Sequence, residues 1–218
     1  MLKHFETTSL ILLWCVVFSL AIGFFRWKMI NLEKPPRAAS RFALPIVPAL
    51  VLGPLAILLA WRVFDVNLIY PVHLLSELSD LSHFALVPAL VLILASGLAV
   101  HLWRKIGLET QRWQSARFLL LAKSVGKNPR DQLRPLVLRK SFLESWSAAL
   151  PWLFGELMVV EAVFNAPGVG LDVWHRARTR DVEGFVLALI SLVAMYVLLS
   201  MLLRWLHLRL GRKLEGWM

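Results

Sequence analysis

Residues 142–170 read FLESWSAALPWLFGELMVVEAVFNAPGVG. Positions 142–164 are mostly apolar, and as a helix rising 1.5 Å per residue they reach about 34 Å, enough to cross a hydrocarbon core about 30 Å thick. The run then meets Asn165, Pro167, Gly168 and Gly170, and proline and glycine stop a helix and permit a tight reversal. A strand of a membrane barrel would alternate in polarity over about ten residues, and this stretch does not.

Four further apolar runs flank it, at 9–25, 42–64, 84–103 and 184–206. The expected fold is therefore all-α: a polytopic membrane protein of about five transmembrane helices, forming a single domain over 1–218. The first run is the shortest, and its helix is expected to extend past the apolar ends. No small-residue cleavage site follows it, so it reads as a retained span. Pro45, Pro48 and Pro54 in the second run are tolerated in a span whose neighbours satisfy the freed carbonyls. Between the second and third runs, HLLSELSDL at 73–81 places Leu74, Leu75, Leu78 and Leu81 on one helical face, the pattern of a short helix lying on the surface.

Composition agrees. The chain is 58% hydrophobic and only 17% charged, which excludes an ordinary soluble domain. Its net charge of +10 comes without any nucleic-acid-reading motif, so no nucleic acid is expected as a partner. The basic residues fall between the apolar runs. The successive connections, from the N-terminus onward, carry one, five, one, ten, three and four Lys or Arg. Alternate connections thus hold nineteen against five. The positive-inside rule then puts the N-terminus outside and the C-terminus in the cytoplasm. The lone Cys15 has no internal disulfide partner and reads as a small buried residue.

Other chemistries find no support. The six histidines lack metal-ligand spacing. Ser145 and Ser147 have no histidine placed for a triad. No G-x-x-x-x-G-K-[ST] phosphate loop exists, so the chain is not itself an ATPase and no directly bound cofactor is expected.

The connection at 104–141 carries ten basic residues. Gly126 is a natural helix stop. Asn128 as N-cap, Pro129 at the first helical position and Asp131 three residues after the cap are a helix-start signal. Pro135 is expected to end that helix after about two turns. A short exposed helix between two membrane helices suits a groove on a cytoplasmic partner. The alternative is a basic loop lying against anionic headgroups.

These two stretches together resemble the inner-membrane permease subunits of ABC importers, of the dipeptide/oligopeptide/nickel type. In that family a cytoplasmic coupling loop carries an Ala-rich segment and then Gly. Here AKSVG at 122–126 is similar, with Ala122 and Gly126 in place, and Arg130 and Arg139 fall where the family commonly has arginine; Arg134 is a further basic residue of this coupling loop. The family's outer motif, E-x-V-F-x-x-P-G-x-G, stands as Glu161, Val163, Phe164, Pro167, Gly168 and Gly170. TRD at 179–181 resembles its Arg-Asp before the last span. Members usually carry a further N-terminal span and an outer region before this core, so the expectation here is a short form.

The resemblance implies a type I permease core in a bacterial inner membrane. It would form half of a path for a small solute, peptides by default, through ATP-driven alternating access. The implied partners are a second permease, two ATP-binding subunits that use the ATP, and an outer-side solute-binding protein. Two rivals stay open: an ATP-driven membrane subunit with a regulatory or export role at the outer face, and a membrane scaffold. For Glu161 the readings are satisfaction by backbone N–H groups of the turn, or contact with substrate or a gate. Glu156, deeper in the span, reads as an interface or pathway residue. Glu144 is placed to pair with Lys140 at i−4.

Overall fold

The computed structural model describes residues 2–29, 47–65, 67–69, 78–114, 126 and 129–215. Every element among them is an α-helix: α1 Leu2–Met29, α2 Ala49–Phe64, α3 Leu78–Ala95, α4 Leu98–Gln114, α5 Pro129–Phe164, α6 Val169–Thr179 and α7 Val182–Glu215. Three of them, α1, α5 and α7, are long and apolar enough to cross a membrane; a fourth crossing is added if α3 and α4 count together as one broken span. The apolar stretch Ala49–Val63 in α2 is shorter than that criterion, and residues 42–46 of the expected second run lie outside the described residues.

Three expectations need correction. The run at 84–103 is not one helix: it breaks at Ser96 and Gly97, where Gly97 has φ 71°. The Gly97 N–H donates to the Leu94 carbonyl, and glycine reaches this left-handed conformation without the Cβ clash that other residues meet. Pro135 does not end a helix either; α5 runs through it without interruption from Pro129. Leu133 and Val137, on either side of Pro135, are buried in one cluster with Trp27, Leu102 and Ile106. Burying two such side chains contributes about 3–6 kcal/mol, which offsets the roughly 3 kcal/mol that an interior proline costs. The fourth run therefore starts in helix well before residue 142. Finally, Leu78 to Leu81 open α3 instead of closing a separate surface helix; residues 73–77 lie outside the described residues.

The chain forms two compact units. One comprises Met1–Phe18, Ile46–Gly97 and Leu150–Leu199. Its interior holds Ile11, Leu92, Leu153, Leu157, Phe164 and Val169, all nearly inaccessible, and α2 packs on α3. Cys15 is buried here, its thiol 3.5 Å from the Ala89 carbonyl. The other unit comprises Ser19–Pro45, Leu98–Ala149 and Ser200–Met218. It is built on the Trp27 cluster and on Trp146, whose indole N–H donates to the Ser19 hydroxyl at 3.2 Å.

Candidate functional site

The turn after α5 is a two-sided cap. Asn165 takes a left-handed conformation, φ 52°. The Ala166 N–H bonds the Glu161 carbonyl at 2.8 Å and the Asn165 N–H bonds the Ala162 carbonyl at 3.3 Å. That pair of bonds is a Schellman motif, which closes the exposed end of a helix. Four residues later α6 begins, with Gly168 as an N-cap that offers no side chain. The first N–H groups of a helix have no internal partner, and the missing acceptors come from elsewhere. Gly170 and Leu171 donate to Oε2 of Glu161 at 2.6 and 3.1 Å. Val169 donates to Oγ1 of Thr8 at 2.9 Å, and Thr8 in turn donates to Oε1 of Glu161 at 2.7 Å.

Glu161 is wholly buried. A buried carboxylate is tolerable only with hydrogen-bond donors on its oxygens. Here both oxygens have donors, and the positive end of the α6 dipole faces them. Oε2 takes two of these donors and Oε1 takes one. The glycines follow from this geometry: a Cβ on Gly168 would fall onto the Glu161 carboxyl group, and one on Gly170 would sit 2.8 Å from Cα of Met158. Phe164 is fully buried, and Val163 packs on Gly53 of α2. His4 Nδ1 of α1 lies 3.2 Å from the Pro167 carbonyl. The motif of Glu161, Val163, Phe164, Pro167, Gly168 and Gly170 is thus one device, which reverses the chain and caps a helix.

The device repeats at the next turn. Arg180 has φ 59°, and the Asp181 N–H bonds the Arg176 carbonyl at 3.1 Å, ending α6. Asp181 then caps α7, accepting from the Gly184 N–H at 3.1 Å. Arg176 bridges Asp172 and Asp181 at 2.9 and 3.0 Å. The Asp172 hydrogen bond, and then its charge, hold the guanidinium pKa above its ordinary value.

Glu156 also serves a helix end: its Oε2 accepts from the Ala49 N–H at 2.9 Å, at the start of α2. Glu144 makes the expected i−4 pair with Lys140, and a second, closer one with α4. Lys105 is its close partner at 2.7 Å, with Lys140 at 3.8 Å. Lys140 sits closer to Glu109, at 3.1 Å, and Glu109 also accepts from the Trp113 indole at 3.1 Å. A ladder of alternating charge therefore ties α4 to α5.

On the expected coupling segment, Ala122 and Asn128 lie outside the described residues. Gly126 is exposed with φ 73°, as a glycine stop requires. Pro129, Arg130 and Asp131 form the first turn of α5. Arg134 and Arg139 are exposed on α5, Arg134 stacked 4.8 Å over the Phe24 ring.

Sequence reasoning missed Thr8, His4 and Glu109. Their partners are remote in the chain or depend on the packing of α4 on α5, and their only local sign is polarity inside or beside an apolar run. Among the described residues no cluster of metal-ligating side chains exists.

No curated protein matches the chain. A family-level sequence profile does, over residues 42–216, and its description is the binding-protein-dependent transport system inner membrane component. The match takes in α2 to α7, both caps and the basic connection, while α1 with Thr8 lies upstream of it. The chain accordingly belongs to the binding-protein-dependent transport inner-membrane components, and is a permease subunit of the ABC-importer type.

Proposed function

We propose that this permease is of the dipeptide/oligopeptide/nickel type and forms half of a path for small peptides. The observation that carries the reading is the outer hairpin: a family-type E-x-V-F-x-x-P-G-x-G motif in which Glu161 caps α6 through Gly170 and Leu171. The segment around Gly126, Arg130 and Asp131 would receive the motion of two ATP-binding subunits. A second permease would complete the path, and a solute-binding protein would deliver at the outer face of a bacterial inner membrane.

Charge supports the orientation. The unit holding the 104–141 connection carries nineteen Lys and Arg against five Asp and Glu, net +14; the unit holding the hairpin carries five against nine, net −4. By the positive-inside rule this excess of Lys and Arg supports a cytoplasmic 104–141 connection.

The test is a mild-detergent pull-down of the tagged chain expressed with its genomic neighbours, followed by ATPase and uptake assays. Retention of an ATPase and a second permease is expected, together with peptide uptake into vesicles. Arg130→Glu is expected to abolish solute-stimulated ATP hydrolysis. Retention of membrane proteins without an ATPase overturns the coupling reading. An intact coupled ATPase without uptake moves the role to the outer face.

A further inference from the structure

The basic unit contains a groove of about 250 Å³. Leu20 and Phe24 of α1, Ile106 of α4, Phe142 of α5 and Leu206 of α7 form its walls, and Arg139 is the one charged residue that lines it. The Ser19 hydroxyl at its edge already accepts from Trp146. Two pairs of basic residues on α4 and α5 bear on the groove. Lys105 and Lys140 are matched by Glu109 and Glu144. Arg134 and Arg139 have no carboxylate partner among the described residues, and both are exposed; Arg139 lines the groove, and Arg134 stacks on the Phe24 ring that forms part of its wall.

An apolar slot with uncompensated guanidiniums at its rim, in a unit of net charge +14, complements one kind of molecule. We infer that this groove binds an anionic phospholipid, with an acyl chain along Leu20, Phe24 and Phe142 and the phosphate on Arg139, Arg134 being the second cation of the rim. Guanidinium suits phosphate because its planar donors match two oxygens at once. Basic pockets between membrane helices on the cytoplasmic side take such headgroups. The inference rests on the proposed orientation of the membrane-embedded chain, and not on an ATPase partner. It stands whether or not an ATPase couples to residues 126–131, so the pull-down above and the lipid experiment fail independently.

The experiment uses the intact purified complex, stripped of lipid and then titrated with phosphatidylglycerol or phosphatidylcholine carrying brominated acyl chains. Quenching of tryptophan fluorescence reports chain occupancy, and native mass spectrometry counts retained lipid. One phosphatidylglycerol, held at least tenfold more tightly than phosphatidylcholine, is expected. Arg139→Gln should weaken it roughly fivefold, and Arg134→Gln with Arg139→Gln should remove the headgroup preference. Gly23→Leu tests the slot separately. A Cβ there makes ordinary contacts at 3.7–3.9 Å with Ile106, Leu102 and Leu138, and the longer side chain should expel the acyl chain while the rim cations remain. Equal affinity for the two lipids overturns the inference, and so does a headgroup preference that survives both arginine substitutions. Disulfide capture of Leu20→Cys by the second permease, with no lipid retained, also overturns it.

Discussion

Removing the Glu161 carboxylate strands three donors together: the Gly170 and Leu171 N–H groups and the Thr8 hydroxyl. Each buried donor without a partner costs about 1–3 kcal/mol, so Glu161→Ala should destabilise the chain by roughly 3 kcal/mol or more. Glu161→Gln keeps one oxygen for the two N–H groups and turns its amide toward Thr8, whose oxygen has a second lone pair. Its expected cost is only about 1 kcal/mol. Thermal unfolding of the detergent-solubilised variants separates the two. A Gln variant as unstable as the Ala variant would show that charge, and not acceptance of hydrogen bonds, is what the position supplies. The glutamate and its glycines were visible in the sequence because they sit within ten residues of one another. Thr8 was not, because nothing local marks a threonine at a distance of 153 positions as its partner.

Whole helices here are decided by their ends as much as by their faces. Asp181 caps α7 through the Gly184 N–H, while its second oxygen meets Arg176 on an exposed surface. Exposed pairs contribute little and an N-cap about 1 kcal/mol. Asp181→Asn should therefore be close to neutral, and Asp181→Ala should lose about 1 kcal/mol, read as a difference in unfolding between the two variants. At this scale the sequence was partly legible. Apolar runs located the long helices, and the turn residues located the reversal after Phe164, because both signals are local. Pro135 misled for the opposite reason: Leu133 and Val137 hold the helix together across it through partners on α1 and α4. Gly97 was visible inside an apolar run, but whether a glycine breaks a helix depends on the packing of its two flanks.

For the molecule as a whole, the proposed orientation in the bilayer rests on charge. In a Cys15→Ala background, Arg178→Cys should react with a membrane-impermeant maleimide added to intact cells, and Arg112→Cys only after permeabilisation. Both side chains are exposed, so a reversed pattern would invert the proposed orientation. The same connectivity imposes an order on biogenesis. Thr8 emerges from the ribosome early, yet both partners it serves, Glu161 and the Val169 N–H, are made only after α1 to α4 have been synthesised. Until then α1 waits in the membrane with its hydroxyl uncommitted, and the α5–α6 reversal cannot close on a preformed site. Helix α1 is thus made ahead of α2 to α7, and its Thr8 end is fixed only once α6 has begun. A nascent chain arrested before Val169 has left the ribosome should leave the Thr8 hydroxyl without these two partners, and one arrested well beyond that point should not.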